Sequence, residues 1–543
     1  MAPRAVPAMN IGQPHLAGRL RTHPAVFDRR VRDLSVTLAA IVIPLAAGLG
    51  ITVAYPSPNP FLLFGVLIGF VGVVTLLMSK RYEITLAVLM LYLGVADGPV
   101  KLEAASQIAS GVRDILILAI CVGMLMRMAV NHQSLSWPPL SGWVIAFVAF
   151  VLVGALNPLT LSILKSLGGF RQELEWVPFF FFGFMILRTK ERIRRFFLIL
   201  GVIALANGLV GAVQSRLTPA QLARWGPGYR ELVFGGEGNG ITGRTYSVEG
   251  VAHVRPPALG SDAGFGGGVG GLALPCIVAL LAAVPLRRRW PVLILAAGAV
   301  LGIATAASRT SIVVAAIGVL SFVVLSFAAR LKVSRALIGL VLTGFVMVGV
   351  GYALIAANGS SVFARQETLT SVERAEETGG NSKEQTLSEI PTDIEHQPFG
   401  YGLGVAGSVS GFGGHNHATF EGTRVTGGSV YSLLMKEVGL PGLLLWIGLT
   451  FNVIALAVTR LRRVVDTELR TYLVGLVAAY CAVTAQGFSG PTLAVTVGAF
   501  LWFVPGVISY WLAGPGRSAM TPEPGPDAVH QPAVTLQRPA VAL

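Results

Sequence analysis

The sequence predicts an all-α fold, a polytopic bundle of about 14 membrane-spanning helices (range 12–14). Three observations carry that reading. Charged residues make up 13% of the 543-residue chain, against roughly 25% in a soluble globular protein. The shortage is concentrated in long runs almost without charge, and mean hydropathy is +0.69. Clusters of Lys and Arg recur where alternate runs end. In lipid, backbone polar groups have to be satisfied within the segment, so such runs fold as helices.

The apolar runs place spans at about 34–54, 60–78, 84–97, 115–130, 139–156, 174–187, 196–214, 264–285, 291–307, 311–329, 336–357, 430–458, 471–488 and 491–513. A span takes about 20 residues, so the third, fourth and sixth are short. With the N-terminus cytoplasmic, the inward segments hold 26 of the 41 Lys and Arg. The clusters at 188–195, 287–289 and 460–463 all fall inside, as the positive-inside rule requires. A miscount by one span would put some of them outside.

Residues 1–33 read as a cytoplasmic tail. No small-residue cleavage site follows Arg29-Arg30, so the first span stays uncleaved. Residues 34–513 form the transmembrane domain, and 514–543, rich in Pro and Ala, a disordered cytoplasmic tail. Both termini are therefore expected in the cytoplasm of a multi-pass cell-membrane protein. Two outer segments are large, 215–263 and 358–429, the second between spans eleven and twelve. Loops of that length are functional or disordered.

Composition also excludes functions. Cys121, Cys276 and Cys481 sit far apart in apolar runs, without metal-ligand spacing or a disulfide framework. Gly266, Gly268 and Gly271 fit G-x-G-x-x-G, but no strand precedes them, so no dinucleotide site is expected. Most of the 65 glycines read as helix-packing residues. The net charge of +14 follows from basic cytoplasmic loops and does not call for nucleic acid.

Arg309 is the only charged residue in the 39 residues 291–329. A straight helix of that length would run nearly ~60 Å, about twice the hydrocarbon thickness. The run must fold back near its middle, which sets Arg309 at the outer membrane boundary. A lone charge there marks a function; the plainer reading is an arginine that snorkels to the interface. Arg255 and Arg171 also precede spans on the outer side. Together the three suit a cationic cavity, because the guanidinium fork grips phosphate oxygens and keeps its charge.

His253, His396, His415 and His417 are expected outside. The pair around Asn416 is the better candidate for a general base, against a solvated loop histidine. Glu437 opens the apolar part of span twelve; its plain reading is an interfacial pair with Lys436. The pairs Asp393/Glu395 and Glu173/Glu175 have the spacing to share a divalent cation, an arrangement also common by chance.

Three segments, in order, resemble the O-antigen ligase and polymerase superfamily of bacterial membrane proteins. The first is Val254-Arg255-Pro256-Pro257-Ala258-Leu259-Gly260-Ser261-Asp262. The second is the Ser-Arg turn Ala307-Ser308-Arg309-Thr310-Ser311. The third is Gln397-Pro398-Phe399-Gly400-Tyr401-Gly402-Leu403-Gly404, with the later helix entry Tyr431-Ser432-Leu433-Leu434-Met435-Lys436-Glu437-Val438-Gly439. The resemblance covers roughly 160–510.

The resemblance implies a glycan donor on a polyprenyl diphosphate carrier and a glycan or lipid-glycan acceptor, met among membrane lipids on the outer face. It implies no nucleotide sugar, no cofactor and, in the ligases, no metal. Arg255 and Arg309 would stabilise charge on the departing lipid diphosphate, and His415 would take the acceptor proton. Arg171, Ser308, His417, Tyr431 and Glu437 would bind substrate. In ligases a His-Asn pair sits just before the Tyr-Leu stretch. Alignment on Tyr431 and Glu437 puts Gly428-Ser429 there, and His415-Asn416 lies 13 residues earlier. Either the loop holds an insertion and His415 reaches the site, or the chain uses no histidine base. That departure favours a polymerase or a more general surface-polysaccharide enzyme.

Three other readings compete. A flippase or exporter of lipid-linked sugars would show repeat halves and arginines near the midplane. A metal-dependent oligosaccharyltransferase-type enzyme would need an acidic pair in the first outer loop, and residues 55–59 carry no charge. A purely structural membrane protein would leave Arg309 unexplained.

Overall fold

The computed structural model describes residues 82–104, 107–130, 137–160, 162–235, 245–248, 251–285, 287, 289–331, 381–409, 419–420, 423–424, 428–490, 492–494 and 496–516. The expected spans 34–54, 60–78 and 336–357, the N-terminal tail, the C-terminal tail beyond residue 516, and His415, Asn416 and His417 lie outside the described residues. The chain divides into two units. One, Met1–Lys80 with Leu118–Leu135, is described only over 118–130, a helical stretch. The other, Arg81–Ile117 with Ser136–Leu543, holds everything that follows.

The described chain is mostly helical, with almost no strand. Its first helices are α1 Tyr82–Leu91, α2 Asp97–Ala104, α3 Gln107–Val130, α4 Ser141–Gly154, α5 Ile163–Leu174, α6 Pro178–Ile186 and α7 Lys190–Gln214. The segment expected as the outer stretch 215–263 carries α8 Pro219–Ala223, α9 Pro227–Phe234 and a hairpin of β1 Thr245–Val248 and β2 Val251–Val254. Then come α10 Phe265–Ala283, α11 Trp290–Thr305, α12 Arg309–Ala328 and α13 Asn381–His396. A second small hairpin pairs β3 Thr419–Phe420 with β4 Thr423–Arg424. The chain ends on α14 Val430–Arg460, α15 Thr467–Gln486 and α16 Gly498–Ile508.

Among the described residues four helices are long and apolar enough to cross a membrane: α7, α10, α12 and α14 with its following turn. Shorter apolar helices are α4, α11 and the stretch Gly498–Ala513. Three expectations change. The third span does not stop near residue 97, because the π-turn Tyr92–Ala96 leads straight into α2. The sixth is only the nine-residue α6, and α5 is a separate helix before it. Of the final expected span, 491–513, the long helical stretch is α16 extended by the π-turn Ser509–Ala513.

Polar residues placed just before the apolar runs start these helices. Ser162, Thr189 and Ser429 each accept a backbone N–H from the first turn of α5, α7 and α14. Asp466 does the same for α15. The run 291–329 folds back at Ala306-Ala307-Ser308, where Ala307 has φ 46°. So α10 and α12 run parallel, with α11 returning between them in sequence.

Helix α10 is the centre of the bundle and packs against α7, α11, α12 and α15. Its glycines set that closeness. A Cβ on Gly271 would sit 3.2 Å from Val314 Cγ1, and one on Gly266 2.9 Å from Ala258 Cβ. The G-x-G-x-x-G match is thus a packing surface. At the other end Lys190 pairs with Asp466 at 2.9 Å and Glu468 at 3.1 Å, tying α7 to α15.

Candidate functional site

The segment 255–262 lies over the ends of α7 and α10. Two amides from an otherwise apolar stretch of α7 hold it. Ala258 N donates to Gln214 Oε1 at 2.7 Å, and Gln214 Nε2 donates to Ala258 O at 3.0 Å. Leu259 N donates to Asn207 Oδ1 at 3.1 Å, while Asn207 Nδ2 donates to Gly94 O at 2.8 Å. Asn207 and Gln214 are seven residues apart, so they share one helix face. That spacing in an apolar span was the signal that could have found them.

The same segment reaches the Ser-Arg turn. Gly264 N donates to Pro256 O at 3.1 Å. A Cβ on Gly264 would lie 3.6 Å from Ser308 Cβ. One backbone hydrogen bond therefore ties Arg255's neighbour Pro256 to Gly264, and at Gly264 a side chain as small as alanine's would already touch Ser308, Arg309's neighbour. Both arginines are half-buried, and Arg255 Nε is buried without a hydrogen-bond partner. The N-termini of α10 and α12 meet here, and neither has a side-chain cap. Uncapped N–H groups and the positive end of the helix dipole favour an anion.

The two halves of the third motif also meet. Gly439, φ 72°, breaks α14. An unbroken helix would bond Leu440 N to Lys436 O. Instead loop 398–407 takes both groups: Leu440 N donates to Pro398 O at 2.8 Å, and Tyr401 N donates to Lys436 O at 2.6 Å. The loop thus satisfies both backbone groups that the broken Leu440–Lys436 bond frees. Asn157 Nδ2 fixes the loop from the far side by donating to Gly400 O at 3.0 Å. Gly439→Ala is expected to lose this joint. The left-handed φ costs an L-residue about 1–2 kcal/mol, and its Cβ would fall 2.6 Å from Phe399 Cα. A lower melting temperature, or loss of folded protein on size-exclusion chromatography, checks this; an unchanged melt would refute it.

Glu437 is fully buried at 0% exposure. Its Oε1 accepts from Gln172 Nε2 at 3.3 Å and from Ala406 N at 3.2 Å. The pair expected with Lys436 does not form, because successive helix residues project about 100° apart. Lys436 turns instead to Glu389 at 2.7 Å and Asp393 at 3.7 Å on α13. Tyr401 OH donates to Asp393 Oδ1 at 3.2 Å. Burial pushes the Asp393 carboxyl above its usual range, against the pull of Lys436 and Tyr401. Tyr431, at the start of α14, stacks on Phe488 with ring centroids 4.3 Å apart and donates to Thr484 O at 3.4 Å.

Arg171 joins a different group. Its Nη2 lies 3.0 Å from Asp114 Oδ2. Beside it Arg113 pairs with Glu175, donating from Nη2 to Oε2 at 2.8 Å, and lies 4.9 Å above the Trp176 ring. Asp97 and Lys101 complete the cluster at 2.7 Å. Sequence reasoning missed Arg113 and Asp114.

The motif segments share one end of the bundle. Gly268 of α10 faces Gln486 of α15, with an added Cβ 3.4 Å from its Nε2, and Val430 N donates to Gly487 O at 2.8 Å. Glu173 and Glu175 go separate ways, as residues two apart on a helix do. Among the described residues no group of three or more His, Cys, Asp or Glu is arranged to hold a metal ion. The chain matches no family model, no curated protein and no solved structure.

Proposed function

We propose that the protein is a metal-independent membrane glycosyltransferase of the ligase or polymerase kind, moving a glycan from a polyprenyl diphosphate carrier to an acceptor sugar at the outer face of the cytoplasmic membrane. One observation supports this above the others: Arg255 and Arg309 sit on adjoining segments beside two uncapped helix N-termini. That is donor chemistry for a diphosphate leaving group, whose bridging oxygen gains charge as the glycosidic bond breaks. Ser308 precedes Arg309 in the same turn, and Tyr431 opens the neighbouring α14. Glu437 in this reading holds loop 398–407 rather than meeting sugar. Fourteen spans with both termini cytoplasmic complete the proposal.

The test is purified protein in detergent with a synthetic polyprenyl-diphosphate oligosaccharide and an acceptor glycan. Lengthened or transferred glycan is expected without a sealed bilayer. A flippase would give no product there and would move the donor only in vesicles. Topology is tested separately in a variant lacking the three native cysteines. Gln221→Cys is expected to react with an impermeant thiol reagent in intact cells, and Val465→Cys only after permeabilisation. Equal labelling at Val465 would reverse the orientation.

A further inference from the structure

The polar face of α5 is turned inward. Lys165, Gln172 and Glu173 are buried, while Ile163, Leu164 and Leu167 are exposed. Lys165 and Glu173 have 0% exposure, as has Glu437 opposite them. Among the described residues neither oxygen of Glu173 has a hydrogen-bond partner, and Glu437 Oε2 has none. The other charges nearby are engaged elsewhere: Lys436 with Glu389, Arg171 with Asp114 and Glu175 with Arg113. Loop 398–407 contributes no charged side chain. The Glu437 carboxyl feels the charges of both Glu173 and Lys165, and the Lys165 ammonium acts on Glu437 rather than on Glu173.

With all three ionised, one negative charge would be buried without a counterion. A carboxyl in that position takes up a proton. Glu437 already accepts two hydrogen bonds and is attracted by Lys165. Glu173 accepts none and sits in the last turn of α5, where the helix dipole disfavours a negative charge. The proton belongs on Glu173. A neutral carboxyl has one O–H to give, and Glu437, on which the Glu173 charge acts, has an unmade acceptor in Oε2.

We infer that Glu173 is held as a neutral carboxylic acid that donates to Glu437, and that this shared proton positions loop 398–407 between α5 and α14. Glu173 is then a positioning residue, acting through Glu437 on Ala406 and the Gly439 kink. The inference does not rest on the glycan-transfer reading.

Infrared spectroscopy of the full-length protein in detergent at pH 7 tests it. Wild type is expected to show a protonated-carboxyl C=O stretch that Glu173→Gln removes and Glu173→Asp retains at a shifted frequency. Melting curves give the second readout. Glu173 binds a proton in the fold that it lacks when unfolded above about pH 4–5. That contribution is complete below the unfolded value and is lost as pH rises through the raised native value. Glu173→Gln has no such loss, so it should melt above wild type at pH 9 and converge with it at pH 5. An unchanged infrared difference, or a Glu173→Gln protein that melts lower than wild type by the same margin at both pH values, would overturn the inference.

Discussion

Replacing Arg309 with alanine is expected to abolish glycan transfer while the protein still inserts and elutes as a single species. Removing one fixed donor to developing charge costs ~3–4 kcal/mol of barrier, roughly 10²–10³-fold in rate. Arg255→Ala is expected to act on the same scale. Among the described residues Arg255 Nε has no hydrogen-bond partner, so removing that donor leaves no acceptor there unsatisfied. Arg309→Lys should also be poor, since an ammonium keeps the charge but loses the planar fork. Turnover of a polyprenyl-diphosphate donor by each purified variant is the measurement. Wild-type rates in all three would remove the diphosphate role from these residues, whatever the enzyme acts on.

The second large effect is expected in the segment 358–429, at two residues beyond the described structure. If His415 takes the acceptor proton, His415→Ala loses ~10²–10⁴ in rate, the usual range for a general base. His417→Ala should change little. Activity should fall as pH drops through about 6.5, where an unperturbed imidazole gains its proton. His415 is preferred because it precedes Asn416, the order found in the ligases the sequence resembles. Near-normal transfer by a His415→Ala/His417→Ala double variant would end the histidine mechanism. The acceptor hydroxyl would then lose its proton late, with arginines and donor positioning supplying the catalysis.

The helices of the described chain were legible because their cause is local. An uncharged run has to satisfy its own backbone, and Thr189, Ser429 and Asp466 mark where three of them begin. The fold-back at Arg309 was readable for the same reason: a run of 39 residues is too long to cross once. Arg255 and Arg309 were legible as candidates because a charge at an apolar boundary stands out in one dimension. The short spans were misjudged where the boundary is not set by hydropathy. The π-turn at Tyr92–Ala96 carries the helix past Asp97 because Asp97 and Lys101 have partners there, each other and Arg113.

By itself the sequence determined the class of the molecule, the order of its helices and the residues whose charge had to be accounted for. Tertiary structure decided what those residues meet. Gln172 and Glu437 are 265 positions apart, yet their side chains bond. Arg171 belongs to Asp114 rather than to the other two arginines, and Lys436 to α13 rather than to its neighbour. The hydrogen bond that Gly439 breaks within α14 is remade by a loop some 40 residues earlier. A buried polar group has to find a partner, and composition fixes that requirement locally. Which partner it finds depends on which backbones come within about 3 Å in space, and no local pattern encodes that.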